Sequence, residues 1–455
     1  MTTDTLAATA VSELRERFGD AIVSAADDGY DLARGAFNIL IDQRPEAVAY
    51  PSSVTETAAI VSAARDAGLK IAPRGSGHNV GPLGSLENTL VIRFDRMTGV
   101  EIDVEARSAR VEAGARWWDV TPKASEHGLA ALHGSSPEIN VVGYSLGGGM
   151  GWLARKHGLQ ANRLTAIELV TADGEIRIVD AESDPDLFWA LRGGGANFGV
   201  VTSVEFELIE LAELYAGAMF FPYERAAEVM KAWRQWTADA PEEVTSVVRV
   251  LQFPPLEIVP EVVRGKSFTI VEAAFLGTED AGRELTAPLR ELGPVMDTFA
   301  MVAPMALAEL HMDPVDPVPY RAIHSLLGDL SDELIDESLA VAGPGAGSPL
   351  SFEIRHTGGA MSRTEPGAGA ISTIPGEYLM FGLGPVMDPA MVPTIEAELA
   401  RLEAVFAPHE AGRYLNFSEE PTDPAVQFGA ETVARLAAIR AIHDPKGLFR
   451  ANHAV

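Results

Sequence analysis

Three glycine-rich segments in the first half of the chain contain the residue types that could hold a large anionic ligand. They are Arg74-Gly75-Ser76-Gly77-His78-Asn79, Gly147-Gly148-Gly149-Met150-Gly151 and Gly193-Gly194-Gly195-Ala196-Asn197-Phe198-Gly199. Glycine lets backbone N–H groups approach a ligand closely and tolerates positive φ. Such groups, together with the Arg74 guanidinium, suit a pyrophosphate. We therefore predict an extended anionic cofactor between the three segments, although the first segment alone is equally typical of a tight surface turn.

The first segment departs from the nicotinamide-dinucleotide fingerprint. Gly75 and Gly77 supply two of its glycines, but the third is missing. The apolar run Leu90-Val91-Ile92 follows where that fold needs a long helix. A nicotinamide Rossmann site is therefore not expected.

A second chemistry competes at the middle segment. Gly143-Tyr144-Ser145-Leu146-Gly147 matches the G-x-S-x-G nucleophile elbow of serine hydrolases, with His443 or His453 as a late base. An elbow needs a strand before the serine and a helix directly after it. Only Val141-Val142 precede, and a run of glycines begins a helix poorly. A serine hydrolase using Ser145 stays an alternative.

Composition bounds the remaining possibilities. The chain has 455 residues, which favours two domains, and a formal net charge of -30, which disfavours nucleic acid and anionic membranes as partners. It contains no cysteine, and its ten histidines are scattered without a metal-binding motif, so we expect no metal site. Residues 1–5 hold no basic group, and no apolar run is long enough to span a membrane. We expect a cytoplasmic protein.

Local signals predict the elements that position these segments. Ser53 and Glu56 have capping-box spacing before a helix, and residues 69–73 form a strand that leads into the first segment. Asp173-Gly174 marks the turn of a hairpin over 166–179, and Asp184-Pro185 opens a helix. Beyond about residue 210, helices such as 224–236 alternate with strands such as 267–274, and a helix over 432–442 precedes the C-terminus.

In order and spacing, the three segments resemble those of FAD-linked oxidoreductases of the vanillyl-alcohol-oxidase superfamily, close to berberine-bridge-enzyme-like oxidases. The resemblance runs over residues 45–208 and resumes at 413–417 and 444–452. It implies a two-domain α+β fold. Residues 1–209 would form the FAD-binding domain and 210–408 a substrate domain, whose antiparallel sheet covers the isoalloxazine and is backed by helices. Residues 409–455 would return to the FAD-binding domain.

The resemblance also implies the residues that contact FAD. His78 lies where relatives bond the flavin 8α-methyl, and Ser136 lies where many relatives carry a cysteine that forms a second link. With no cysteine, the flavin is either linked through His78 alone or only bound, and the departure favours a small substrate. The expected FAD contacts are Arg74, Gly75, Ser76, Gly77, His78, Asn79, Ser136, Ile139, Val142, Gly143, Gly147, Gly148, Gly149, Gly151, Trp152, Gly199, Val200, Val201, Asn416 and Asn452.

Tyr414 matches the family's active-site tyrosine, which would take a proton as hydride leaves the substrate for the flavin. By period-2 alternation, Glu353 and Arg355 share one strand face and His356 lies on the other, so only one set can face the flavin. Tyr144 stands where relatives often have histidine. Some relatives place a glutamate base where this chain has Gly382, so that role does not transfer.

The resemblance implies an enzyme that removes hydride from a CH–OH carbon of a small organic substrate. A CH–NH (amine) substrate stays open because an acidic protein could steer a cation, as does a flavin-binding protein without turnover. The electron acceptor would be O2 or another oxidant. Ile139 aligns where a small residue is typical of oxygen-reactive relatives, and a bulkier one is typical of dehydrogenases.

Overall fold

The computed structural model describes residues 3–253, 255, 257, 259 and 261–455. Met1 and Thr2, on which the expected location partly drew, lie outside these residues. Within the described ranges, no helix is both long and apolar enough to cross a membrane.

The chain begins with a small mixed sheet that ends at the first glycine segment. Its described strands, in the order β1-β2-β4-β3, are β1 (Ile22–Ser24), β2 (Ala47–Ala49), β3 (Lys70–Arg74) and β4 (Thr89–Arg93). Its helices are α1 (Thr3–Phe18), α2 (Tyr30–Arg34) and α3 (Val54–Asp66). The predicted capping box is confirmed because the Ser53 side chain accepts the Glu56 N–H at the start of α3. The strand predicted over 69–73 is observed as β3.

An antiparallel sheet follows, with strand order β5-β6-β10-β8-β9 among the described residues. The strands of this part are β5 (Val100–Asp103), β6 (Ser108–Glu112), β7 (Leu129–Ala130), β8 (Leu164–Val170), β9 (Ile176–Val179), β10 (Val200–Glu207) and β11 (Ile209–Glu210). Its helices are α4 (Trp117–Ser125), α5 (Val141–Leu146), α6 (Ala154–His157) and α7 (Pro185–Gly194). β7 pairs only with β11 in the described structure. The predicted hairpin is confirmed as β8–β9, and Asp184 caps α7 by accepting the Leu187 N–H.

A large antiparallel sheet dominates the second half of the chain. Its described strands are β12 (Leu214–Pro222), β13 (Val244–Gln252), β14 (Ser267–Phe275), β15 (Met296–Asp297), β16 (Ala300–Val302), β17 (Tyr320–Leu327), β18 (Ser351–His356), β19 (Tyr378–Pro385) and β20 (Glu410–Gly412). Their order is β15-β12-β14-β13-β18-β19-β17-β20, with β16 also on β12. The helices of this part are α8 (Ala226–Ala238), α9 (Glu279–Arg290), α10 (Leu307–Leu310), α11 (Asp332–Ala342), α12 (Val392–Phe406) and α13 (Ala425–His443).

The two faces of the large sheet have different partners. One face packs Met219, Val248 and Met380 against buried residues of α8, α11 and α12. On the other face, Val247 packs against Trp152, which follows the middle glycine segment. Helices therefore back the sheet, and its opposite face covers the glycine loops.

The C-terminus packs against the first half of the chain. Leu436, Ile439, Leu448 and Phe449 belong to the same hydrophobic core as the two smaller sheets. The predicted α+β class is confirmed, because helices and antiparallel sheets occur together in the described chain. The domain limits 1–209, 210–408 and 409–455 stay predictions, and β20, just beyond residue 408, still pairs with β17 of the large sheet.

Candidate active site

His78 is held on three sides. β3 ends at Arg74, and the following loop turns at Gly77, which has φ +82 and at which a Cβ would lie 3.1 Å from the Ala36 Cα. The imidazole stacks on Phe37 at 3.8 Å between ring centroids. Its Nδ1 lies 3.0 Å from Ser76 Oγ and its Nε2 lies 2.9 Å from Glu138 Oε1. The ring is therefore fixed in position and orientation by this chain alone.

Arg74 is directed toward protein groups. Its guanidinium is buried and donates to the Arg34 carbonyl at 2.6 Å and to Gln43 Oε1, while Nε has no partner. Burial, with a smaller contribution from Arg93, lowers the pKa of Arg74 to about 10. Its nitrogens thus secure the segment before β2, whereas we predicted that they would face a pyrophosphate.

Asn79 joins the first loop to the C-terminal part of the chain. Its Nδ2 donates to the Leu415 carbonyl at 2.8 Å, and its own carbonyl accepts a hydrogen bond from Asn452 Nδ2. This contact brings the predicted residues Asn79 and Asn452 together beside the Tyr414–Asn416 segment.

The middle glycine segment packs closely against the Tyr414–Asn416 segment. A Cβ at Gly147 would lie 1.8 Å from Asn416 Oδ1, and one at Gly148 would lie 2.9 Å from the Tyr414 oxygen. Asn416 Nδ2 also donates to the Tyr144 carbonyl at 3.1 Å. We attributed the glycine run to ligand contact, but in the structure at least these two glycines are needed for contacts within the protein.

The third segment also packs against the protein. Gly193 has φ +122, and its Cβ would lie 2.5 Å from Ile371 N. Gly199 lies against Leu169 and precedes β10, which buries Val200 and Val201. Because Ile371 also lies against Gly148, the middle and third segments meet at one side chain.

Ser145 is not in a nucleophile elbow. It lies inside α5, is fully buried, and its Oγ donates to the Val141 carbonyl at 2.7 Å. His453, one proposed base, points its Nε2 at the Leu415 carbonyl. The strand–turn–helix geometry of a hydrolase is therefore missing from this part of the described chain.

The hydroxyl of Tyr414 is surrounded by hydrogen-bond donors. Asn416 Nδ2 donates to it at 3.3 Å, and the backbone N–H groups of Gly149 and Met150 act to lower its pKa. Burial raises the pKa of Tyr414, whereas these donors and the Arg355 charge lower it, and the net shift is upward. The site therefore partly offsets the cost of forming a buried tyrosinate.

A buried network of charges lies behind Arg355. Arg355 Nε donates to Glu353 Oε1 at 2.5 Å, and Glu353 Oε2 lies 2.7 Å from His311 Nε2. The other His311 nitrogen lies 2.5 Å from Glu272, which also pairs with Arg249. Both oxygens of Glu353 are therefore occupied by cationic partners.

These partners explain the protonation of the network. Burial and the Arg249 charge lower the pKa of His311, but Glu272, Glu353 and Asp313 more than offset these effects and raise it to about 9. Burial raises the pKa of Glu353, but Arg355 and His311 outweigh it and the net shift is downward. His311 is thus an imidazolium between two carboxylates at neutral pH.

His356 lies on the opposite face of β18, as the alternation predicted. Its ring lies 5.7 Å from the ring of Tyr378 and 6.5 Å from that of Trp233, and burial lowers its pKa to about 3. The structure therefore groups Glu353 and Arg355 with Tyr414 and leaves His356 among the aromatic residues behind the sheet. Gly382 points toward Leu402 of α12, away from that group.

The other predicted residues line the same region. Tyr144 donates its hydroxyl to the Leu132 carbonyl at 3.1 Å, and burial raises its pKa well above the usual value. Ser136 Oγ donates to Asp313, as does Ser135 Oγ at 3.1 Å. Trp152 lies edge-on to His311 at 6.0 Å.

Five further predicted contacts shape the helix and the loops. The N–H of Gly143 is capped by Asn140 Oδ1, and a Cβ at Gly75 would strike the same Asn140 side chain. Val142 is buried in α5. Ile139 is half-buried at the edge of the first core. Gly151 lies against the His133 carbonyl, too close for a side chain.

Sequence reasoning missed Glu138, His311, Glu272, Arg249 and Asp313. His311 and Asp313 lie just after a short helix, and Glu272 and Arg249 lie on strands whose register the sequence does not reveal. The spacing of Glu138 from His78 in the sequence gave no signal either. Within the described residues, no group of three or more His, Asp or Glu side chains is arranged to hold a metal ion.

The residues present fit a flavin cofactor. Buried polar atoms normally have a partner, yet Asn79 Oδ1, Glu138 Oε2 and Trp152 Nε1 have none. All three lie on the loops that converge around His78 and Tyr414. These atoms are available to a bound polar molecule.

Comparison with known proteins supports the same cofactor. Residues 45–180 match a family model described as an FAD binding domain. (R)-6-hydroxynicotine oxidase from Paenarthrobacter nicotinovorans is 28% identical over 457 residues, covering 95% of each chain. A variant of BBE-like 1 from Physcomitrella patens superimposes with a TM-score of 0.87 at 20% identity over 98% of both chains.

Glucooligosaccharide oxidase from Acremonium strictum carries a 6-S-cysteinyl, 8α-N1-histidyl FAD. Its structure gives a TM-score of 0.81 at 22% identity, over 98% of this chain and 99% of that one. At these identities the two structures establish the fold alone.

The fold, the loops and the matched FAD domain define a flavoprotein, and the chain is an FAD-dependent oxidoreductase. It is similar over nearly its whole length to (R)-6-hydroxynicotine oxidase, and it shares the fold of BBE-like 1.

Proposed function

We propose that this enzyme removes hydride from a CH–OH carbon of a small organic substrate, with FAD tethered through His78 alone and Tyr414 as the base. The observation that carries the proposal is the surroundings of the Tyr414 oxygen, which accepts a hydrogen bond from Asn416 and whose pKa is lowered by the backbone N–H groups of Gly149 and Met150 and by the Arg355 charge. A tyrosine packed only for stability needs one partner for its hydroxyl. The Asn416 donor, the two backbone N–H groups and the arginine charge together favour the anion that a proton acceptor must form.

The glycine loops and the C-terminal segment would hold the cofactor. His78, with its ring fixed by Phe37, Ser76 and Glu138, would be the attachment point, and Asn79 would contact the cofactor through its unpartnered Oδ1. When bound, FAD accepts a hydride from the substrate and passes two electrons to an acceptor. The remaining steps belong to residues of this chain.

Tyr414 would take the substrate's hydroxyl proton at its phenolic oxygen. Its pKa is raised, so only a small fraction is ionised at neutral pH, and that fraction rises tenfold per pH unit. The donors from Asn416, Gly149 and Met150 would stabilise the anion without moving, because Asn416 also donates to Tyr144 and the other two belong to the backbone.

Arg355 would stabilise the Tyr414 anion through its charge. Glu353 orients Arg355, and His311 in turn holds Glu353. Glu353 itself is a poor base, because both of its oxygens are occupied and its pKa is lowered. We therefore assign Glu353 and His311 to positioning.

Hydroxyl and amine substrates both fit the polar groups at the edge of the site. Ser135 and Ser136 converge on Asp313, which could accept from a substrate hydroxyl or pair with an ammonium. Relatives include enzymes named for oligosaccharides and for 6-hydroxynicotine. We favour a hydroxyl because Tyr414 can accept its proton directly, and we keep the amine as the second candidate.

The acceptor can be tested at Ile139. If this side chain limits access of oxygen to the flavin, Ile139→Val should raise the second-order rate constant for reoxidation of the reduced flavin by O2. An unchanged constant would remove Ile139 from control of the acceptor. Val141→Ala, which shortens a buried side chain of α5 that is not among the expected FAD contacts, serves as the control for loosened packing.

Anaerobic bleaching of the flavin tests the reaction. Purified protein should be yellow, and alcohols, sugars and amines are mixed with it in turn without oxygen while the flavin absorbance is followed. Bleaching by hydroxyl compounds alone supports the proposal. Bleaching by amines alone would replace the substrate class, and a colourless protein would refute the flavin site.

A further inference from the structure

Glu138 is a buried carboxylate with an unusual set of contacts. Its side chain is 2% exposed, and Oε1 lies 2.9 Å from His78 Nε2. Oε2 has no hydrogen-bond partner, and no lysine or arginine in the described structure pairs with this residue. A buried charge normally has a cationic partner or several donors. Here the structure supplies one imidazole.

The backbone around Glu138 is fixed independently of His78. The N–H of Trp118 donates to the Pro137 carbonyl at 2.9 Å, and the N–H of Trp117 donates to the Ile139 carbonyl at 3.1 Å. Both bonds attach this stretch to the start of α4. The carboxylate is therefore presented to the imidazole by the fold.

The contacts of His78 select one tautomer. An ionised carboxylate can only accept, so Nε2 must carry the hydrogen that faces Glu138. Ser76 Oγ accepts the Asn140 N–H at 3.3 Å, which leaves its own hydrogen free to point at His78 Nδ1. Both neighbours thus favour a protonated Nε2 and an unprotonated Nδ1, whose lone pair accepts a hydrogen bond from Ser76 until it bonds carbon. A nucleophilic Nδ1 is the form needed to bond carbon.

We propose that Glu138 is a positioning residue for covalent flavin attachment, holding His78 as the Nε2–H tautomer and neutralising the charge that develops on its ring. The inference rests on the proposed His78 tether. The bond from Nδ1 to the 8α carbon forms while a C–H bond of that methyl group breaks. The methyl and imidazole protons leave to bases, and two electrons reduce the isoalloxazine. Dioxygen then reoxidises it and becomes hydrogen peroxide.

Glu138 acts on this step through charge. Bond formation at Nδ1 makes the imidazole cationic until Nε2 releases its proton. A carboxylate 2.9 Å away in a buried site stabilises that cation strongly, as the aspartate of a catalytic triad does for its histidine. A role in folding alone would not require the negative charge.

The isosteric Glu138→Gln variant removes the negative charge and changes the favoured tautomer of His78, while it keeps the shape of the side chain at position 138. Glutamine can donate to Nε2, which favours the Nδ1–H tautomer and blocks the lone pair. Glu126→Gln, at an exposed position in the same part of the chain, is the control for loss of one negative charge. Glu138→Asp keeps the charge and serves as the conservative rescue.

The readout is the fraction of FAD that stays with the protein after acid precipitation, followed over time after FAD addition to protein purified from flavin-starved cells. We expect Glu138→Gln to bind FAD without a covalent bond and to form the link at least tenfold more slowly than wild type. Glu126→Gln should match wild type, and Glu138→Asp should recover part of the rate. Ring 15N shifts of His78 in the FAD-free proteins should show Nε2–H in wild type and Nδ1–H in Glu138→Gln.

Failure of the proposed role of Glu138 can be distinguished from failure of the proposed His78 tether. Linkage of Glu138→Gln at the wild-type rate, or an Nδ1–H tautomer in wild type, would overturn the role of Glu138 and leave the tether intact. Complete release of FAD from wild-type protein would overturn the tether and this inference together.

Discussion

The buried His311 gives the folded protein a specific pH dependence. It lies between Glu272 and Glu353, is 2% exposed, and keeps its proton to about pH 9 because of these carboxylates and Asp313. In the unfolded chain a histidine releases its proton near pH ~6.5. Between these values the folded state binds a proton that the unfolded state does not.

The magnitude follows from the size of this shift. A folded pKa above the unfolded one gives stability that is complete below pH ~6.5 and is lost as pH rises through about 9. Each pH unit in that window costs about 1.4 kcal/mol, so the full loss is about 3 kcal/mol. Burial lowers the pKa values of His324 and His356 to about 3, so these two residues affect only the acid side.

The assay is urea unfolding of the flavin-loaded enzyme across this window, for wild type and His311→Gln. The difference in unfolding free energy between the two proteins should shrink by about 3 kcal/mol from pH ~6.5 to pH ~9. His409→Gln, at an exposed position, is the control for a changed histidine and should follow wild type. A wild-type minus His311→Gln difference that stays constant, or grows with pH, would refute the account of the network.

Three further predictions concern the active site and its neighbours. Tyr414→Phe should keep FAD bound but slow anaerobic flavin reduction by about 10²–10⁴-fold and remove its rise with alkaline pH; an unchanged rate would exclude Tyr414 as the base. Gly147→Ala places a methyl group against Asn416 and should lower the unfolding free energy by about 1–3 kcal/mol in urea titration. Gly143→Ala in α5 has room for the methyl group and should be neutral or stabilising. Equal effects of the two substitutions would contradict this packing. Ser145→Ala should leave flavin reduction unchanged in stopped-flow measurements, and loss of activity with intact flavin would revive a role for its hydroxyl.

Local signals predicted the elements well because their causes lie within a few residues. The Ser53 cap, the Asp173-Gly174 hairpin and the Asp184 cap each depend on a side chain and backbone groups close in sequence. The prediction placed the start of the final helix too late in the sequence. α13 begins at Ala425, before the predicted residue 432, and Gly429 interrupts its geometry with φ +72.

The candidate site was only partly predictable, because its contacts join distant segments. Alternation placed Glu353 and Arg355 on one face, but it gave no hint that His311 would hold Glu353. The glycine run was recognised as a site of close approach, but its contact with the Tyr414–Asn416 segment was not predicted. Gly147 and Gly148 leave room for Asn416 and Tyr414, which lie more than two hundred residues later in the sequence. No local sequence pattern encodes such a contact.

Peptide mapping of the native enzyme tests the central claim most directly. Protease digestion followed by mass spectrometry should find the flavin mass on one peptide, the one that contains His78, and fragmentation should assign it to that residue. The His78→Ala protein should carry no such peptide while still binding FAD. A wild-type digest in which every His78 peptide is unmodified, or in which the flavin is attached to another residue, would contradict the account.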